Sequence, residues 1–173
     1  VASDTVTIAS IKPGADGEDG VDALTIVNTN PTHTLPANAS GVVSSYSNSG
    51  TTIQVYEGTT QLDYDGSGGT AGHFTVATSQ SPSSTITIGG VSDSTNDAVV
   101  ANHSSMVDGT DNVVITYTIT GKRLDGTSLG TITTTQSIGK NKTGSTGAAG
   151  AGVVFRGVYD ASKTYFHTSI RKD

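Results

Sequence analysis

The sequence predicts an all-β chain, and three observations carry that prediction. Serine and threonine together number 50 of 173 residues; threonine favours strands and serine favours turns. Short runs with apolar side chains at alternate positions recur through the middle of the chain, as half-buried strands require. Clusters such as Ser47-Asn48-Ser49-Gly50, Asp65-Gly66-Ser67-Gly68-Gly69 and Asp108-Gly109-Thr110-Asp111 punctuate those runs with turn-forming residues.

In chain order, residues 1–11 place Val6 and Ile8 in alternation with threonine, and they are expected to be the last strand of a preceding β module. Residues 12–22 form a collagen-like linker with glycine at every third position, Gly14, Gly17 and Gly20. A triple helix needs such glycines because no side chain fits at its axis, and it needs three chains. Three triplets without internal proline are short for that purpose. Asp16, Glu18, Asp19 and Asp22 bring four carboxylates per chain, 12 in three chains, and like charges at 5 to 8 Å repel by about 0.5 to 0.8 kcal/mol per pair even in water. The segment therefore reads either as a flexible or extended linker or as strands apposed on a threefold axis by flanking domains.

Residues 23–139 are expected to fold as one β-sandwich. Strand candidates fall at 24–28, 42–46, 52–57, 61–64, 73–78, 85–88, 97–101, 113–122 and 130–138. Seven or more short strands at this spacing suggest an immunoglobulin-like sandwich, without the Cys and Trp landmarks of antibody domains. The last hairpin is the most sharply specified. Val113, Ile115, Tyr117 and Ile119 share one face, and a two-residue turn at Asp125-Gly126 would pair Leu124 with Thr127. That register sets Ile119 opposite Ile132 and Val113 opposite Ile138. A slip of one residue would turn the aliphatic side chains to opposite faces, at about 1.5 to 3 kcal/mol for each one left in water.

Residues 140–152 form a second glycine-triplet linker through Gly144, Gly147 and Gly150. The strand, lysine and glycine-triplet order of residues 1–20 thus returns at 133–150, and the chain reads as a segment of a longer array of modules. Residues 153–173 resume a β pattern with Phe155, Tyr159, Tyr165 and Phe166, expected to open a further, truncated module.

Composition excludes several classes. The chain has no Cys and no Trp, which removes disulfides, thiolate metal sites and thiol nucleophiles. No stretch approaches the roughly 18 apolar residues of a membrane helix, and the first residues have neither a basic nor an apolar leader region. Membrane insertion is therefore not expected. The net charge of −6 is divided unevenly: residues 1–111 hold 12 acids and one base, residues 112–173 three acids and eight bases. The acidic part is unsuited to nucleic acid, and the basic part lacks a dense Lys/Arg cluster with interleaved aromatics.

Candidate chemistry is sparse. Asp63-Tyr64-Asp65-Gly66 opens like a calcium loop, but Phe74 stands twelfth from Asp63, where such a loop requires Glu. That segment, Asp93 with Asp97, and Asp108 with Asp111 read as turns. His33, His73, His103 and His167 are too scattered for a zinc pair, and no Gly-x-Ser-x-Gly elbow marks a nucleophile. No catalytic residue, cofactor or metal is assigned. Sequons at Asn38, Asn102 and Asn141 matter only after eukaryotic secretion. Tyr46, Tyr56, Tyr64 and Phe74 are expected to pack within the sandwich, whereas Tyr159 and Tyr165 are the candidate glycan contacts.

The run Gly14-Ala-Asp-Gly-Glu-Asp-Gly-Val-Asp-Ala-Leu-Thr-Ile, then His33-Thr-Leu-Pro-Ala, Ser49-Gly-Thr-Thr-Ile-Gln-Val-Tyr-Glu-Gly, Gly72-His-Phe-Thr-Val and Ile115-Thr-Tyr-Thr-Ile-Thr-Gly-Lys-Arg-Leu-Asp-Gly resembles an Ig-like module of tailed-bacteriophage tail-fibre and tail-tip proteins. The resemblance covers residues 12–150. Arg156-Gly-Val-Tyr-Asp with Lys163-Thr-Tyr resembles the opening of small carbohydrate-binding-type modules. The resemblance to tail-fibre and tail-tip proteins implies a non-enzymatic virion structural protein at the extracellular distal tail, commonly a homotrimer. Its implied partners are other virion tail proteins and a host surface glycan or outer-membrane receptor. Two alternatives stand beside it: a glycan-binding domain of a bacterial surface adhesin, and a spacer domain of a polysaccharide-degrading tail protein.

Overall fold

A computed structural model of the protein describes residues 20, 22–148 and 150, and it is all-β, with no helix among them. In chain order the strands are β1 (Leu24–Asn28), β2 (Thr32–Ala37), β3 (Thr51–Glu57), β4 (Thr60–Gln61) and β5 (Asp63–Tyr64). They continue with β6 (His73–Ser81), β7 (Val91–Ser94), β8 (Asp97–Val100), β9 (Asn112–Gly121) and β10 (Ile132–Lys142). One sheet has the order β1-β3-β8-β7, with β4 beside β3; the other has the order β2-β10-β9-β6-β5. Neighbours are antiparallel except β2 with β10 and β5 with β6.

The two sheets close on one core. Ile53, Val55, Ala98 and Val100 from the first sheet meet Leu35, Phe74, Val113, Ile115, Tyr117, Ile119 and Ile138 from the second. Every second residue of β9 is fully buried while the threonines between them are half-exposed, because successive side chains of a strand point to opposite faces. Phe74 meets Tyr64 edge-on, with ring centroids 5.5 Å apart, and the Tyr46 hydroxyl accepts from the Met106 N–H at 2.6 Å.

The central hairpin keeps its expected body register by an unexpected route. Ile132 lies opposite Ile119 and Ile138 opposite Val113. The turn, however, is not the two-residue Asp125-Gly126 turn. Lys122 pairs with Ser128, Arg123 N–H donates to the Thr127 carbonyl, and Gly126 N–H donates to the Arg123 carbonyl. Gly126 takes φ +84°, so the loop is a three-residue turn closed by a glycine in the left-handed region. That loop shifts the pairing by one residue. An extra residue at Gly130-Thr131, with Gly130 at φ +74°, shifts it back, as a bulge does. Leu124 is released from pairing, and its N–H donates to Glu57 Oε2 at 2.8 Å.

Other expectations are corrected. Residues 42–46 and 85–88 are not strands; each contributes a single bridge, Val43 to Ala37 and Thr87 to Ser104. The missed strands are β2 and β7. Pro36 concealed β2 because proline interrupts a ladder, yet it sits where its carbonyl, accepting from Ser44 N–H at 2.9 Å, is all the neighbouring chain needs. The β7 sequence Val-Ser-Asp-Ser is too polar to read as a strand and is held by pairing with β8. β10 runs to Lys142, three residues beyond the expected edge of the sandwich at 139, because its parallel partner β2 continues to Ala37.

Ile115 is fully buried and Thr116 beside it half-exposed. Replacing Ile115→Ala is expected to cost about 2 to 5 kcal/mol of stability, whereas Thr116→Ala should stay within about 0.5 kcal/mol. Urea unfolding midpoints of the two variants check the assignment of faces, and equal losses would contradict it.

Candidate functional site

A shallow cleft of about 590 Å³ lies where β1 crosses to β2, beside the start of β3 and the end of β8. Asn30, His33, Asn48, Thr52 and Asn102 furnish its polar groups, and Val99, Val100 and Ala101 its apolar floor. Its geometry follows from Gly50. A side chain there would come within 2.3 Å of the Val100 carbonyl oxygen, so only glycine lets the chain run this close to β8. The Gly50 N–H donates to Asn102 Oδ1 at 3.1 Å, and the Gly50 carbonyl accepts from Asn30 Nδ2 at 2.8 Å. Asn30 Nδ2 also donates to the Asn48 carbonyl at 3.0 Å. Behind it, Thr51 Oγ1 accepts from the Asn30 N–H at 3.0 Å and donates to Asn28 Oδ1 at 2.6 Å. The cleft wall is thus a hydrogen-bonded lattice of short polar side chains.

Directly beneath it lies a buried polar cluster that joins the sheets. Gln136 on β10 and Tyr117 on β9 are completely buried, and His103, just after β8, is 2% exposed. Tyr117 Oη donates to Gln136 Oε1 at 2.8 Å, and Gln136 Nε2 donates to the Ser49 carbonyl at 3.0 Å. Gly89 N–H donates to His103 Nδ1 at 3.0 Å, which leaves the ring proton on Nε2, facing Gln136 Oε1 at 2.9 Å. Ser49 completes the set: its hydroxyl accepts from the His103 N–H at 2.8 Å and donates to the Tyr46 carbonyl at 2.7 Å. Burial drives the His103 pKa below its ordinary value, against the opposing pull of the Gln136 hydrogen bond. Burial also pushes the Tyr117 hydroxyl well up. Both are neutral at pH 7.

The acidic turn read from the sequence is a self-contained loop. Asp65 Oδ1 accepts from Gly68 N–H at 2.6 Å and from Ser67 N–H at 2.8 Å, contacts that hold its carboxyl below the usual range. His73 stands 3.4 Å from Asp65 and 3.8 Å from Asp63. Among the described residues no group of three or more His, Asp or Glu side chains is arranged to hold a metal ion. His103 faces an amide and a backbone N–H rather than a serine and a carboxylate.

Of the glycine-triplet positions, Gly20, Gly144, Gly147 and Gly150 are exposed, with open space where a side chain would stand. Gly14, Gly17, Tyr159 and Tyr165 lie outside the described residues, as do 1–11 and 153–173. Sequence reasoning missed the cleft and the cluster beneath it. Their one visible signal was Ser47-Asn48-Ser49-Gly50, which reads as a turn but contributes to both.

His103 fixes a pH dependence. Its folded pKa lies below the ordinary 6.5, so the unfolded chain binds the proton first as pH falls. Stability from this group is complete above pH 6.5 and is lost as pH falls from there through the lowered folded value. Urea unfolding at pH 7.5 and pH 5 should record the loss, and His103→Gln should reduce that difference. Gln136→Leu, which strands the Tyr117 hydroxyl, the His103 Nε2–H and the Ser49 carbonyl, should cost several times the roughly 1 kcal/mol of Tyr117→Phe. Compared with known proteins, the chain matches no family model, no curated protein and no solved structure.

Proposed function

We propose that this chain is a non-enzymatic structural and host-surface adhesion segment of a bacteriophage tail fibre or tail tip, exposed on the virion and assembled as a homotrimer with other tail proteins. The observation that carries the reading is the placing of the two chain ends on the sandwich. The chain enters β1 opposite Glu57, where Arg123 binds both the Asp22 carbonyl and the Glu57 carboxylate. It leaves β10 opposite Ala37, where Lys142 pairs with Asp111 at 2.5 Å. Asp111 precedes β9 and Arg123 follows it, so the two poles are separated by the full ten-residue strand, about 33 Å. A module entered at one pole and left at the other transmits an axis from one neighbour to the next. That is the requirement of a stalk.

The immunoglobulin-like assignment belongs to the same proposal. Numbering the principal strands β1, β3, β6, β7, β8, β9 and β10 as A to G, the first sheet reads A-B-E-D and the second G-F-C. The order of these seven matches that of a constant-type immunoglobulin sandwich and supports the assignment, with β2 and β5 added at the edges of the second sheet and β4 beside β3. The glycine triplets, exposed where described, are the connectors between modules in this reading. The open polar cleft on the side of the sandwich supports the adhesion half of the reading.

Light scattering on the longer parent protein is expected to give three chains per particle, and negative-stain images should show beads strung in line. A folded parent protein that stays monomeric would sink the fibre reading.

A further inference from the structure

We infer that the cleft beside Gly50 is a binding site for a neutral saccharide, held chiefly by Asn102 and Asn30. The inference deepens the adhesion half of the proposed function and rests on it for its biological meaning, while its chemistry stands on the cleft itself.

The orientation of both amides is dictated by backbone groups. Gly50 N–H requires an acceptor, so Asn102 presents Oδ1 to it; the carbonyls of Asn48 and Gly50 require a donor, so Asn30 presents Nδ2 to them. What remains is a fixed pair with complementary character. Asn102 Nδ2 keeps two N–H donors and Asn30 Oδ1 keeps its acceptor sites, and neither atom has a partner among the described residues. They are anchored to the N–H and the C=O of one residue, so their relative position is set by backbone geometry rather than by side-chain freedom. Thr52 and Asn48 line the same cleft, and the Thr52 hydroxyl and the Asn48 side-chain amide have no partner among the described residues. Sugar hydroxyls each donate and accept, and so can satisfy both a donor and an acceptor on one cleft.

The class of ligand follows from what the lining contains. It has no Asp, Glu, Lys or Arg and one ionisable side chain, His33, so a cationic ligand meets no carboxylate and an anionic one no ammonium or guanidinium group to offset its lost hydration. The cleft is open to solvent, so a hydrophobic ligand would not be enclosed. Val99, Val100 and Ala101 line it beside the polar groups, an apolar surface against which one face of a pyranose ring would lie. The lattice behind the cleft, from Asn28 through Thr51 to Asn30, limits the ordering needed on binding. A shallow site of this kind binds weakly in one copy, and repetition in an oligomer multiplies it.

The test is a titration of the ¹⁵N-labelled 173-residue chain with the methyl glycosides of glucose, galactose, mannose and N-acetylglucosamine, followed by amide NMR. The expected result is that at least one glycoside shifts the Asn102 side-chain amide and the Gly50 and Thr52 backbone signals. Asn102→Asp retains the acceptor for Gly50 N–H while removing the free donors, and Thr52→Val removes a hydroxyl with no partner among the described residues. Each should weaken binding at least fivefold with the spectrum otherwise preserved, and Thr133→Val on the opposite sheet should leave it unchanged. The proposal is overturned if none of the four glycosides shifts those signals, if binding survives both cleft variants, or if a sulfated glycoside binds as well as its neutral parent. Loss of this site would leave trimers and in-line beads intact, whereas a monomeric parent protein would leave the titration unaffected, so the two readings fail separately.

Discussion

The structure depends on one buried amide. Gln136 sits in the middle of the sandwich with every polar atom engaged, accepting at Oε1 from Tyr117 and His103 and donating from Nε2 to the Ser49 carbonyl. Tyr117 belongs to the same sheet as Gln136, whereas Ser49 and His103 flank strands of the other. The amide therefore ties the sheets together with directional bonds, in a core that is otherwise mainly apolar and held by non-directional burial. Buried polar groups left unpaired are costly, so the cluster admits one arrangement of the sheets and penalises others. In a chain without disulfides this is how a unique packing is enforced.

The same cluster sets up the surface above it. Ser49 is fixed from below by Gln136, His103 and the Tyr46 carbonyl; Gly50 follows immediately and is fixed from the side by Asn102 and Asn30. A core interaction thereby positions the floor of an open cleft. Neutral His103 is part of that arrangement, since its Nδ1 must stay unprotonated to accept from Gly89.

The hairpin of β9 and β10 shows how burial overrules local geometry. A three-residue turn and a one-residue bulge at Gly130 displace the ladder by equal and opposite amounts. The register that survives is the one that buries Val113, Ile115, Tyr117, Ile119 and Ile138 together. The displaced turn is put to use: with Leu124 out of the ladder, its N–H joins Arg123 in holding Glu57, and Arg123 reaches the incoming chain at Asp22.

The all-β class, the inward face of β9, and the pairing of Ile119 with Ile132 were legible because alternation of side chains is a local property of a strand, written residue by residue. β2 and β7 were not legible, since Pro36 and the polar Val91–Ser94 run are strands only by virtue of the neighbours that pair with them. The cleft was equally hidden. Asn30, Gly50 and Asn102 are separated by 20 and 52 residues along the chain, and nothing in their local sequence says that they meet. The chain by itself determined which residues alternate and where it turns, because those depend on near neighbours. Tertiary structure alone decided which polar groups share a partner, and that the chain enters and leaves at opposite poles, because both depend on how the two sheets close over the core.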